Sequence, residues 1–221
     1  MELFIFVLEI IGTVAFASSG AMTAIEKNMD ILGVSVLGMT TAVGGGIIRD
    51  LILGINPPMA FQNPIYAIVA LIVSVSIFIF IDKSQFVIDK TGNQLYGKLV
   101  IFFDSIGLGI FTVVGVNVAL SHYSNSNLFL LIFVGVVTGV GGGVLQDIMS
   151  HNIPHIFVKH VYASASILGA IVCSITRIIL GRISSMIIGA IIVIMVRLLA
   201  AHFKWNLPKA RKIYDDSKSY S

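Results

Sequence analysis

Seven apolar runs, each close to the ~20 residues an α-helix needs to cross the hydrocarbon core of a bilayer, dominate this sequence and decide its class. They lie near residues 3–25, 32–53, 64–81, 99–121, 128–149, 160–180 and 183–203. Polar or Pro-containing breaks separate them: Glu26-Lys27-Asn28-Met29-Asp30, Asn56-Pro57-Pro58, the stretch 82–98, Ser121-His122-Tyr123-Ser124-Asn125 and His151-Asn152-Ile153-Pro154-His155. Only 11% of the 221 residues are charged, less than half the ~25% of an ordinary soluble domain, so the chain cannot wet its own surface. The expectation is an all-α integral membrane protein, with one transmembrane domain over 1–205 and a cytoplasmic tail over 206–221.

Several function classes drop out. A single cysteine, Cys173, supplies neither a disulfide framework nor a thiolate metal site. A net charge of +3, carried mostly in loops and tail, is no nucleic-acid footprint. Nucleophile-elbow, phosphate-loop and zinc-protease patterns are all missing, so neither enzyme chemistry nor a cofactor is expected. The i,i+4 pair His151 and His155, with His160 beyond, invites a metal reading, but Pro154 interrupts the helix and no carboxylate completes the set. Ala15-Phe16-Ala17 resembles a secretory cleavage site, yet Glu2 and the lack of any Lys or Arg before Lys27 argue for a retained helix.

Basic residues orient the chain. With seven spans, the side that holds the C-terminus collects Lys27, Lys83, Lys90, Lys98, Lys159, Lys204, Lys209, Arg211, Lys212 and Lys218, while the other side holds only Arg177 and Arg182. The positive-inside rule then puts the C-terminus in the cytoplasm and the N-terminus outside. Lys209, Arg211 and Lys212 make the tail a segment drawn to anionic lipid. Arg197, under two turns from the end of the seventh span, is expected to snorkel to the interface.

The chain also repeats itself. Thr41-Ala42-Val43-Gly44-Gly45-Gly46-Ile47-Ile48-Arg49-Asp50 returns as Thr138-Gly139-Val140-Gly141-Gly142-Gly143-Val144-Leu145-Gln146-Asp147, a shift of 97. Glu9 and Gly12 match Asp104 and Gly107, and Gly20 matches Gly115, at a shift of 95; Pro57 pairs with Pro154 and Tyr66 with Tyr162. This makes two three-helix repeats, about 3–81 and 99–180, plus a seventh helix at 183–203. Three is odd, so the second repeat must enter from the opposite face. Such inverted repeats tend to hold an ion or substrate site near the midplane, at discontinuous helices.

The glycine triplets are where that discontinuity is expected. Each begins about 18–20 Å into its helix, just past the middle of the core. Three consecutive glycines cost about 3 kcal/mol of helix propensity and let the second and fifth helices kink, freeing carbonyls and amides for an ion, with the Thr41 and Thr138 hydroxyls nearby. The alternative is that glycines only permit a close helix crossing. The charges around them carry further readings. Arg49 is expected to reach the conduction path as a cationic gate, whereas Asp50 and Asp147 brace helices or cap backbone groups. Pairing of Asp50 with Arg49 competes with that view. Gln146 removes the charge from the second repeat. Glu9 and Asp104 either turn inward or reach water near a span end.

Seven spans, inverted three-helix repeats and paired T-x-x-G-G-G motifs resemble the trimeric intracellular cation (TRIC) channel family in its short prokaryotic form, over residues 1–205. The resemblance implies a homotrimer in which each subunit has its own pore, passing monovalent cations such as K⁺ and Na⁺ through a prokaryotic plasma membrane. It also implies kinks at Gly44-Gly45-Gly46 and Gly141-Gly142-Gly143 and a basic residue, here Arg49, at the constriction. Gln146 departs from relatives with a basic residue in both repeats. Related sequences have been labelled glycine transporters, which makes a small-solute carrier the alternative.

Overall fold

The computed structural model describes residues 2–83, 94–123, 127–158 and 161–205. The tail over 206–221, the loop residue Lys90, and Lys159 and His160 lie outside them. Eight helices follow in order: α1 (Glu2–Glu26), α2 (Ile31–Leu53), α3 (Met59–Gln62), α4 (Ile65–Lys83), α5 (Gln94–His122), α6 (Leu128–Met149), α7 (His155–Val158) and α8 (Tyr162–His202). Six of these are long and apolar enough to cross a membrane. Their outer surface is correspondingly oily, with Phe80, Phe129, Ile178 and Ile179 largely exposed.

Local chemistry sets the boundaries. Asp30 caps α2 by accepting the Gly33 amide at 2.7 Å, and Asn127 caps α6 by accepting the Leu130 amide at 2.8 Å. Both helices end with a residue in the left-handed region, Gly54 at φ 72° and His151 at φ 56°. Beyond each end lies a short helix, α3 or α7, that the hydropathy pattern treats as loop. Apolar density also fails to find the start of α5, at Gln94 rather than near residue 99, because its first turn is polar.

α8 contains both of the last two apolar runs. A straight helix of 41 residues would be about 60 Å long, twice the core thickness. Gly181 interrupts it with φ 77° and ψ −179°, a conformation open to glycine alone. The two arms fold onto each other: a methyl added at Gly169 would lie 3.0 Å from the Gly189 carbonyl oxygen, and one at Gly189 would lie 3.1 Å from the Gly169 oxygen.

α1, α2 and α4 pack mutually, and so do α5, α6 and α8; α1 against α5 and α2 against α6 join the two groups. At the α2–α6 crossing, a Cβ on Gly45 would collide with the Thr138 carbonyl oxygen and one on Gly142 with that of Thr41. Both helices run unbroken through their triplets. The expected opening of the backbone is therefore replaced by close approach: the amides stay bonded within their helices, and the missing side chains let the two axes touch. Thr41 and Thr138 donate to the carbonyls of Leu37 and Val134, at 2.7 and 2.6 Å. Their side chains face Gly20 and Gly115.

Candidate functional site: two polar cavities and a phenylalanine constriction

α1 touches a cavity at each of its ends. Glu9 and Thr13 line the smaller one, together with Ala42, Gly46, Arg49, Asp50, Met59, Tyr66 and Phe111. Ser19, Thr23 and Glu26 line the larger one, about 520 Å³, with Asp104, Gly143, Gln146, Asp147, His155 and Arg197. Six residues separate Thr13 from Ser19, about 9 Å along the helix. Phe16 lies in that interval, stacked on Phe111 with ring centroids 5.4 Å apart and planes 17° apart. Each ring rests on a glycine of the other helix, Phe16 on Gly107 and Phe111 on Gly12. These residues are related by the same shift of 95 that pairs Glu9 with Asp104. Along α1 a stacked aromatic pair related by the repeat shift thus lies between the residues of the two cavities.

At the smaller cavity, Glu9 turns inward, and the Tyr66 hydroxyl donates to its Oε2 at 2.5 Å. Arg49 and Asp50 are both buried. The Arg49 Nε donates to Asp50 Oδ1 at 2.8 Å, and its Nη2 lies 3.7 Å from the Met59 sulfur. The second oxygen, Asp50 Oδ2, accepts the Met59 amide at 2.7 Å and so holds the start of α3. Adjacent helix positions diverge by about 100°, but the length of the arginine lets it curl back to its neighbour. The cation the sequence places in the path is thus folded onto a carboxylate at the cavity wall.

The larger cavity repeats the plan with different chemistry. Asp104 Oδ1 accepts the Tyr162 hydroxyl at 3.0 Å. Asp147 Oδ2 accepts the His155 amide at 2.6 Å, and its two oxygens lie 2.7–2.8 Å from His155 Nδ1. This is the carboxylate that the histidine pair lacks in sequence, and it serves His155 alone: His151 sits apart as the left-handed residue ending α6. The matched amides belong to Met59 and His155, so Pro58, not Pro57, is the counterpart of Pro154. The first loop has one more residue, which hides the register from a gapless comparison. Gln146 donates to the Thr23 hydroxyl at 2.7 Å, leaving its own Oε1 without a partner among the described residues.

Arg197 does not snorkel. It is 4% exposed, its Nη2 lies 3.5 Å from Asp104 Oδ2, and its guanidinium sits 4.7 Å from the centre of the Tyr162 ring. Burial beside a carboxylate and an aromatic face outweighs the reach to water, because the second arm of α8 packs inward at this level. Sequence reasoning misses Met59 and the Phe16–Phe111 pair, and gives Arg197 and His155 other roles, a snorkelling cation and half of a histidine pair. The phenylalanines carry a usable signal, since their separation equals the repeat shift; Arg197 lies outside the repeat and has none.

Comparison with known proteins bears on what such a site does. The protein-family model described as "Glycine transporter" matches this chain twice, over residues 6–82 and 101–177. The UPF0126 inner membrane protein YadS of Escherichia coli (strain K12) is 33% identical over 204 residues, covering 91% of this chain and 93% of its own length. A structure described as the basis for conductance through TRIC cation channels is 37% identical with a TM-score of 0.78, covering 93% of this chain and 96% of that one. A prokaryotic TRIC channel crystallised in 0.5 M KCl is 28% identical with a TM-score of 0.84, covering 94% of this chain and all (100%) of the other.

Proposed function

The chain belongs to the trimeric intracellular cation (TRIC) channel family in its prokaryotic form, and from that premise we propose that it is a K⁺-permeable cation channel. Each subunit of a homotrimer has its own path, running from the larger cavity past Phe16 and Phe111 to the smaller one. The observation that carries this reading is the head-to-head arrangement of two acid-bearing cavities about one symmetric constriction. Carboxylates in both chambers favour cations over anions. Buried apolar rings between them suit a closed state that opens when the rings part.

The same reading takes the two arms of α8 as separate crossings, seven in all, and the repeats as inverted in a prokaryotic plasma membrane. The N-terminus is then outside and the C-terminus cytoplasmic, with the larger cavity on the cytoplasmic side, next to Glu26 and the break after it. Arg49 and Gln146 set the unequal charge of the two chambers, while Gly45 and Gly142 fix the distance between α2 and α6. Na⁺ passes as well as K⁺, and annular lipid covers the exposed apolar faces.

Purified protein in a planar bilayer tests this. Discrete unitary currents in KCl are expected, and Phe16→Leu and Phe111→Leu should each raise open probability or conductance by a similar factor. A second reading, a carrier for a small solute such as glycine, is favoured by the description of the family model that matches both halves. Saturable glycine uptake without unitary current would replace the channel with the carrier.

A further inference from the structure

Two buried oxygens on the wall of the larger cavity have no partner among the described residues: Ser19 Oγ and Gln146 Oε1. Ser19 is 0% exposed and Gln146 4%. Many serines and threonines of the bundle donate to a carbonyl one turn back, as neighbouring Ser18 does to Val14 at 2.7 Å. Ser19 does not, although such a bond is open to any helical serine. Gln146 spends its amide nitrogen on Thr23, which fixes the amide plane and leaves the carbonyl end free. Ser19 and Thr23 are one turn apart on the same face of α1, and Gln146 of α6 meets that face at Thr23. A buried polar atom left unpaired costs about 1–3 kcal/mol, and here there are three on residues of the same cavity, the two oxygens and Arg197 Nε.

We propose that Ser19 and Gln146 form a binding site for a partly dehydrated monovalent cation, K⁺ by size and abundance, at the inner end of the larger cavity. Neutral oxygens of this kind replace part of a cation's hydration shell, and the open cavity leaves room for the waters that complete it. The field favours a cation: Glu26, Asp104 and Asp147 bring three carboxylates to the lining, Arg197 one guanidinium and His155 an imidazole. A divalent ion is disfavoured, because it would demand carboxylate ligands: both Asp147 oxygens are engaged with His155 and Asp104 with Tyr162 and Arg197, while Glu26, which is exposed, lies seven residues and about 10 Å along α1 from Ser19. The site exists in one half only. At the matching position of α2 the smaller cavity is lined by Arg49, paired with Asp50, and so offers a donor where the larger one offers an amide oxygen. Its role as a waiting post for conduction rests on the channel reading; its chemistry does not.

The test uses the full chain in detergent, its thermal midpoint followed as KCl replaces choline chloride at constant total salt. The midpoint of the unmodified protein should rise with K⁺ and saturate. Ser19→Ala should need about fivefold more K⁺ for half the rise, the worth of one ordinary polar contact. Gln146→Glu should need less than the unmodified protein, and Ser18→Ala, whose hydroxyl is tied to its own helix, should match it. The proposal is overturned if K⁺ acts no differently from choline, or if Ser19→Ala and Ser18→Ala respond alike. Bilayer recording separates it from the channel reading. A K⁺-specific shift without unitary current keeps the site and removes the channel, whereas currents without the shift keep the channel and remove the site.

Discussion

The two halves use one frame for two purposes. In each, an aspartate near the end of a glycine-bearing helix grips the first amide of a short helix, and a tyrosine hydroxyl holds a carboxylate on the neighbouring long helix. The charge balance differs. In the first half the cation, Arg49, comes from the residue beside the aspartate and stays on it. In the second that position is Gln146, and the cation arrives from α8 as Arg197, next to Asp104. Moving one guanidinium from the aspartate to the other carboxylate accompanies a change from a small chamber to one of about 520 Å³. What the pair teaches is that the scaffold depends on the aspartate-to-amide bond, while the cation can be placed elsewhere.

The sharpest way to break this comparison is to neutralise the two aspartates. Asp50→Asn strands a buried guanidinium and should cost about 3–5 kcal/mol, the usual penalty for opening a buried pair from one side. Asp147→Asn leaves only His155, whose side chain is a third exposed (32%) and reaches water; it should cost about 1 kcal/mol. Thermal midpoints in detergent measure both, and equal losses would defeat the claim that the two charges are set differently. Next in size is the crossing. Gly45→Ala drives a methyl into the Thr138 carbonyl and should cost about 1–3 kcal/mol by overpacking. Gly46→Ala, whose methyl would meet nothing nearer than Arg49 Nη2 at 3.8 Å, should instead gain up to about 1 kcal/mol of helix propensity. Similar melting of the two would restore the hinge view of the triplets. The smallest effect is expected from the tyrosines, where Tyr66→Phe and Tyr162→Phe each remove one hydrogen bond worth about 1 kcal/mol. Tyr162→Phe keeps the ring under Arg197, so a much larger loss there would mean that the hydroxyl, not the ring, positions that arginine.

The all-helical membrane fold was legible because hydropathy is a local, additive signal. The purpose of the triplets was not. Gly44-Gly45-Gly46 reads equally as a weak point or a contact surface, and only the partner helix decides. Arg49 and Asp50 illustrate a second limit: backbone geometry separates neighbouring side chains, but the reach of a three-methylene stem cancels the separation. Arg197 illustrates a third, since its environment comes from Asp104 and Tyr162, which lie 93 and 35 positions away. The short helices α3 and α7 escaped notice because each is anchored by a remote carboxylate rather than by its own periodicity.

The hairpin at Gly181 bears on how the chain is made. A lone second arm would hold Arg197 under two turns from its end, at a cost below the about 2.5–3.5 kcal/mol of an arginine at a helix centre. Synthesis runs from the N-terminus, so Asp104 on α5 and Tyr162 at the start of α8 already exist when Arg197 emerges. Because Gly181 turns the second arm back along the first, the arginine is delivered to a carboxylate and an aromatic ring that precede it. On this view the reversal is an assembly step as much as a shape: it sets the order in which a costly charge and its partners enter the bilayer.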